Sequence, residues 1–339
     1  MSKNNRHTES PAHGQHPRHK IPGQEALRAR RPKITTVSAT SHLCWCVAVS
    51  FIVKWRHNFI GSWRPYREVK WRLKVGVTDD VLASVMRDPR EGLNPDGTIR
   101  TGVCRNRVPG AFESVVSAAV DAFDEIADDC STLLLYGSVA TGAARRGLSD
   151  VDLVAFGPSR EWCHETGMKL SSDFSHLCRG VEISSASHND FSGKSDECFG
   201  NQVFLKHYCV ALTGIDLAEE WSPFQGDWRA ARGFNGDIAA CFTRWRQRPT
   251  RARSVARKTL FAASGVVSVL SNTWTTDRET GARLWGEIEP RYSDDATMLL
   301  EWCDSDSSVS DKDLNRALST NGIVASVADR FASAIGLWQ

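Results

Sequence analysis

Two aspartates interrupt the apolar run "DVDLVAF", Asp150 to Phe156. They restrict what that segment can become. Asp150 and Asp152 alternate with Val151 and Leu153. In a strand, residues i and i+2 point to one face. Both carboxylates then emerge together while Val151 and Leu153 face a core. Two like charges that close repel each other and are costly to desolvate. A divalent cation resolves the conflict, and Mg²⁺ favours a few carboxylates together with phosphate oxygens. For an isolated Asp-x-Asp, a strand end in solvent is the alternative.

The flanking residues favour the cation. Upstream, "TLLLY" is a short buried strand that Gly137 ends. Glycine lets the backbone approach a phosphate closely. The start of the following helix attracts an anion, and the Ser138 hydroxyl can donate to it. Downstream, "GVEISSAS", Gly180 to Ser187, is a third strand with an isolated acid, Glu182, between Val181 and Ile183. If this strand lies beside the second, Glu182 joins the aspartates. Three such carboxylates can hold two metals and activate a hydroxyl. Gly137 to Gly142 has the glycine spacing of a P-loop, but Ala143 and Ala144 stand where Lys and Ser/Thr are required. A glycosyltransferase's Asp-x-Asp would leave the Gly-Ser turn and Glu182 unexplained.

At 339 residues the chain can form two domains. Ordered structure is expected from near Pro109. Apolar residues at Phe112, Val115, Val116, Ala119, Val120, Phe123 and Ile126 follow helical spacing. A helix is also predicted over about 160–177. Helix, strand, helix, strand, helix and strand in succession imply an α/β domain. "QVFLKHYCVAL" reads as a helix that "GIDL" closes, and "SPFQGDWRAARG" as a linker. From Asn235 onward four helical stretches predict an all-α bundle of four or five helices.

"LYGSVATGAARRGLSDVDLVAF" resembles the signature of the DNA polymerase β-like nucleotidyltransferase superfamily. Looser similarity, over residues 105–330, runs to aminoglycoside adenylyltransferases of the streptomycin/spectinomycin type and to actinobacterial nucleotidyltransferase-domain proteins. The resemblance implies an α/β (α+β) nucleotidyltransferase domain with a short mixed sheet at 101–225. A helical substrate domain follows at 226–339. The resemblance does not extend to 1–100, which composition predicts to be a basic, mostly disordered extension. It implies two Mg²⁺ ions on Asp150, Asp152 and Glu182, with ATP as substrate. Gly137, Ser138 and Ser149 would contact the nucleotide, with Lys206, Arg257 and Lys258 reaching phosphates across the cleft. Asp277 stands where that type has a phosphate-contacting lysine, so Arg257 and Lys258 substitute for it.

The implied reaction transfers AMP from Mg-ATP to a hydroxyl of a small-molecule acceptor bound between the domains, an aminoglycoside-like compound being one candidate, and releases pyrophosphate. The alternatives are a protein-modifying or toxin–antitoxin nucleotidyltransferase that works through a partner protein, and a non-catalytic nucleotide-binding module. A monomer or a homodimer fits either.

Charge is uneven along the chain. Through Lys74 there are 15 Lys/Arg and 3 Asp/Glu, an excess of +12, so a total of +2 leaves about −10 for the remainder. The basic tail can bind a polyanion such as nucleic acid, or the true start lies downstream, with Met86 a candidate. The ten cysteines suggest free thiols. Cys198, His207 and Cys209 lack a second ligand pair at zinc-finger spacing. The longest apolar run, Leu43 to Val53, falls short of the ~20 residues of a membrane span. A soluble, cytoplasmic protein is expected.

Overall fold

The computed structural model describes residues 91–304 and 309–339. The expectations for the basic tail, for the Leu43–Val53 run and for Met86 lie outside the described residues. Packed chain begins before Pro109, and residues 91–100, assigned above to the extension, are part of the fold. Ile99 is buried, Thr98 bridges to Gln225, and the Glu91 carboxylate accepts from Thr275 Oγ1, Thr276 N and Thr276 Oγ1 at 2.5, 3.0 and 2.6 Å.

The first half builds a small sheet flanked by helices. Helix α1 (Glu113–Asp124) buries Val115, Val116, Ala119 and Phe123, the face its spacing predicts. It stops before Ile126, which is consequently exposed. Strand β1 (Thr132–Tyr136) runs into the five-residue helix α2 (Gly137–Thr141). Strand β2 (Val151–Phe156) follows, then helix α3 (Arg160–Asp173), shorter than expected, and strand β3 (Val181–Ala186). The Ser159 hydroxyl caps α3 by accepting from Trp162 N at 3.1 Å.

A short helix α4 (Asn189–Ser192) leads to α5 (Asp196–Tyr208). The helix predicted through "CVAL" ends at Tyr208, and the rest is strand β4 (Cys209–Gly214). β4 pairs antiparallel with β1, which would otherwise be an open edge. The sheet order is β3-β2-β1-β4. β1 is antiparallel to β2 and β4, while β2 and β3 are parallel. The sheet is therefore short and mixed.

Both faces of the central strands are covered, so β1 and β2 are buried along their whole length, and Asp152 is the one charged side chain in them. On one face Leu133, Leu135, Val151 and Leu153 pack with Val116 and Phe123 of α1 and with α3. On the other, Leu134, Tyr136, Val154 and Phe156 pack with Val203 and Phe204 of α5.

That second cluster continues into the C-terminal helices. The expected linker is helical from Trp228 on. Seven helices follow among the described residues: α6 (Trp228–Asn235), α7 (Ile238–Gln247), α8 (Ala252–Leu270), α9 (Arg278–Ile288), α10 (Ser293–Asp304), α11 (Asp311–Ala317) and α12 (Ile323–Ala334). α8 runs through the middle and buries Val255, Ala256, Leu260 and Val267 against its neighbours. A fully buried side chain of the size of Leu260 contributes about 1.5–3 kcal/mol. Asp277 caps α9, accepting from Thr280 N and Oγ1 at 2.9 and 2.7 Å. No helix among the described residues is long and apolar enough to cross a membrane.

Candidate active site

The register across three strands builds the site. Tyr136 on β1 is opposite Asp152 on β2, and Asp152 is beside Glu182 on β3. Directly paired residues share a sheet face. Tyr136, Asp152 and Glu182 therefore form a row on the face that the C-terminal helices cover. Val151, Leu153 and Val181 pack on the opposite face. Asp150 precedes β2 by one residue and belongs to the same end of the sheet.

Burial sets the electrostatics of the row. Asp152 is 8% exposed, and its Oδ1 is buried with no hydrogen-bond partner. Its pKa lies well above the ordinary carboxylate value, because of burial first and then the charges of Asp150 and Glu182. Glu182 is pushed up to about 8 by burial and by Asp150. Arg179 and Arg257 oppose both shifts. The Tyr136 phenol is also raised, by burial first and then by Asp152, Cys209, Glu182 and Asp150. A buried carboxylate without a partner is an expensive group to keep.

Gly137 presses on this row. Its φ is +73°, a conformation that side chains rarely adopt. A β-carbon there would collide with Asp152 Oδ2. Ser138 follows, half-buried, in α2. At five residues α2 has little more than one turn, so a phosphate would meet individual N–H groups rather than a long dipole.

The other nominated residues separate into those near the row and those away from it. Ser149 is adjacent, but its hydroxyl accepts from Arg145 N at 2.9 Å and shapes the turn into β2. Arg257 on α8 lies near enough for its charge to act on both Asp152 and Glu182, while its Nε donates to Cys303 O at 3.3 Å. Lys258 is instead buried, paired with Asp237 at 2.6 Å and donating to Phe234 O at 3.3 Å. Successive helical residues point about 100° apart, so Arg257 and Lys258 cannot both face the sheet. Lys206 is also engaged elsewhere, donating to the carbonyls of Ala218 and Glu219 at 2.8 and 3.2 Å. Both lysines brace the fold.

Sequence reasoning missed Arg179 and Tyr136. Arg179 Nε donates to Asp150 Oδ1 at 2.8 Å, and Nη2 donates to Oδ2. The parallel register aligns position 179 with Ser149, so a basic residue three positions before Glu182 was the available signal. Tyr136 directly precedes the glycine that ends β1, where the antiparallel register sets it opposite Asp152.

Among the described residues no three His, Cys, Asp or Glu side chains are gathered in a metal-ligating arrangement. Asp150's oxygens face Arg179 instead. The donor set nevertheless suits a divalent cation. Asp152 Oδ1 is a buried acceptor without a donor, beside two further carboxylates on the same end of the sheet. The zinc-like trio is otherwise employed. His207 Nδ1 meets Thr101 Oγ1 at 3.0 Å and its Nε2 accepts from Phe224 N at 2.9 Å. Cys198 and Cys209 are free thiols.

A cavity of ≈ 700 Å³ lies at the far end of β2, lined by Phe156, Phe191, Phe199, Trp221 and Phe224 among others. Phe156 is four residues from Asp152, about 13 Å along a strand. Val154, fully buried, fills the same face between them. The cavity is therefore separate from the carboxylate row. Compared with known proteins, the chain matches no protein-family model and no curated protein.

Proposed function

We propose that the chain is a Mg²⁺-dependent nucleotidyltransferase that transfers AMP from ATP to a hydroxyl of a small acceptor. The observation that carries this reading is the partnerless buried Oδ1 of Asp152 beside Glu182 and against Gly137. Buried carboxylates, concentrated where a glycine lets the backbone close in on Asp152, call for a cation that arrives with its substrate.

Asp150, Asp152 and Glu182 are the residues that would hold metal. Bound divalent cations supply neutralisation of phosphate charge and polarisation of the attacking oxygen. The remaining work falls to the chain. The turn at Gly137 and Ser138 presents backbone and hydroxyl donors to phosphate oxygens. Arg257 adds positive charge from the helical half. Glu182 is half-buried on the edge strand β3 and receives the acceptor's proton. The acceptor oxygen then bonds to the α-phosphorus, the bond to the bridging oxygen of the β-phosphate breaks, and pyrophosphate leaves. Most of the rate gain is positioning and preorganised charge.

The test is pyrophosphate release from labelled ATP with Mg²⁺ and a panel of aminoglycosides, nucleosides and proteins, run beside Asp152→Asn. Release that needs Mg²⁺, an acceptor and Asp152 supports the reading. A wild-type protein that binds neither ATP nor Mn²⁺ would end it.

A further inference from the structure

Arg179 lies in the turn before β3, outside every motif of the sequence. Its backbone N–H donates to Ser149 O at 3.0 Å, and Val151 N–H donates to Gly180 O at 2.9 Å. These bonds extend the β2–β3 ladder backwards and anchor Arg179 beside Asp150. The guanidinium takes both carboxylate oxygens in a fork. Forked, charge-assisted pairs are among the stronger polar contacts in proteins. The Arg179 side chain is 47% exposed while Asp150 is 9% exposed. The guanidinium therefore has solvent behind it, and the carboxylate does not.

The same guanidinium serves the whole cluster. Its charge acts favourably on Asp152 and Glu182 as well as on Asp150. Both oxygens of Asp150 are engaged by it, while Asp152 Oδ1 next to them has no partner. A guanidinium and a divalent cation compete for the same carboxylate lone pairs, and the cation gathers carboxylate and phosphate oxygens into one coordination shell.

We propose that Arg179 is a built-in counter-ion that holds Asp150 until a divalent cation displaces it. The proposal rests on the metal-dependent reading of the site. Displacement breaks the two hydrogen bonds to Asp150 and returns the guanidinium to the solvent at the rim. It also lowers the apparent affinity for metal, because the competent form of Asp150 is only part of the population. The metal-free site thus keeps Asp150 compensated, and metal binds more firmly once a triphosphate adds its contacts.

The test is Mn²⁺ titration of the full chain by calorimetry at about pH 8.5, where carboxylates hold fewer protons. Wild type is compared with Arg179→Gln, Arg179→Lys and Asp152→Asn. Arg179→Gln should bind Mn²⁺ roughly 10- to 100-fold more tightly, the scale of losing a competing charged hydrogen-bonded pair. Its metal-free melting temperature should fall and Mn²⁺ should restore it. Arg179→Lys, a point charge without the fork, should lie between. It keeps the charge and decides the matter alone if the Gln variant does not fold. Unchanged or weaker Mn²⁺ binding in the Arg179 variants, with normal binding by wild type, overturns this inference and leaves the nucleotidyltransferase reading standing. Absence of Mn²⁺ binding by wild type even when the titration is repeated with a non-hydrolysable ATP analogue present, so that it behaves as Asp152→Asn does, overturns both.

Discussion

Asp152 on β2 and Glu182 on β3 are register partners across the parallel pair, so two carboxylates leave the sheet side by side beneath the C-terminal helices. Burial first, and then the charge of Asp150, hold both protons more firmly than water would. The pair is therefore costly without a cation.

That cost has a pH signature. Glu182 has a pKa of about 8 in the folded chain against an ordinary 4.5. Between those values the folded state binds the extra proton, so its contribution to stability is present below about pH 4.5 and lost as pH rises through 8. Metal-free melting temperature should fall over this range more steeply in wild type than in Glu182→Gln. Parallel slopes in the two proteins would refute the buried-carboxyl assignment.

Asp152→Asn removes a buried charge without changing shape. The metal-free variant should melt at or above the wild-type temperature, because the repulsion within the row is relieved. Transfer and Mn²⁺ binding should fall by orders of magnitude. A variant that melts lower and still turns over would show that Asp152 braces the fold and holds no metal.

Gly137→Ala and Gly147→Ala separate strain from collision. Both glycines have positive φ, +73° and +71°. A β-carbon at Gly147 meets nothing within 4 Å, whereas at Gly137 it meets Asp152 Oδ2. Each substitution should cost about 1–2 kcal/mol in backbone strain, measured by denaturant unfolding. Only Gly137→Ala should also weaken Mn²⁺ binding and turnover, by displacing Asp152. Equal effects on Mn²⁺ would remove Gly137 from the site.

Arg257 and Lys258 are chain neighbours with different work. Lys258→Met leaves Asp237 largely buried and unpaired, and should cost about 3 kcal/mol of stability. Arg257→Ala should change stability less and lower ATP affinity more, read by isothermal titration. The reverse pattern would return the phosphate-binding role to Lys258.

The sequence by itself determined the local elements that its periodicity encodes. Alternation placed Asp152 on the face of β2 opposite Val151 and Leu153. The 3–4 spacing marked the buried side of α1, and the isolated acid in "GVEIS" marked Glu182. These are properties of neighbouring residues and need no knowledge of the rest of the chain. Pairing is not local, and there the sequence ran out. "CVAL" reads as the end of a helix until β1 offers an open edge for it. The parallel register that joins Glu182 to Asp152 also delivers Arg179 to Asp150, which no motif announced. Likewise, Arg257 and Lys258 are equivalent cations in the sequence. The placement of α8 lets the charge of Arg257 act on the carboxylates and buries Lys258 beside Asp237. Tertiary structure decided these points because the energy of a buried charge depends on its neighbours in space, which short-range pattern does not specify.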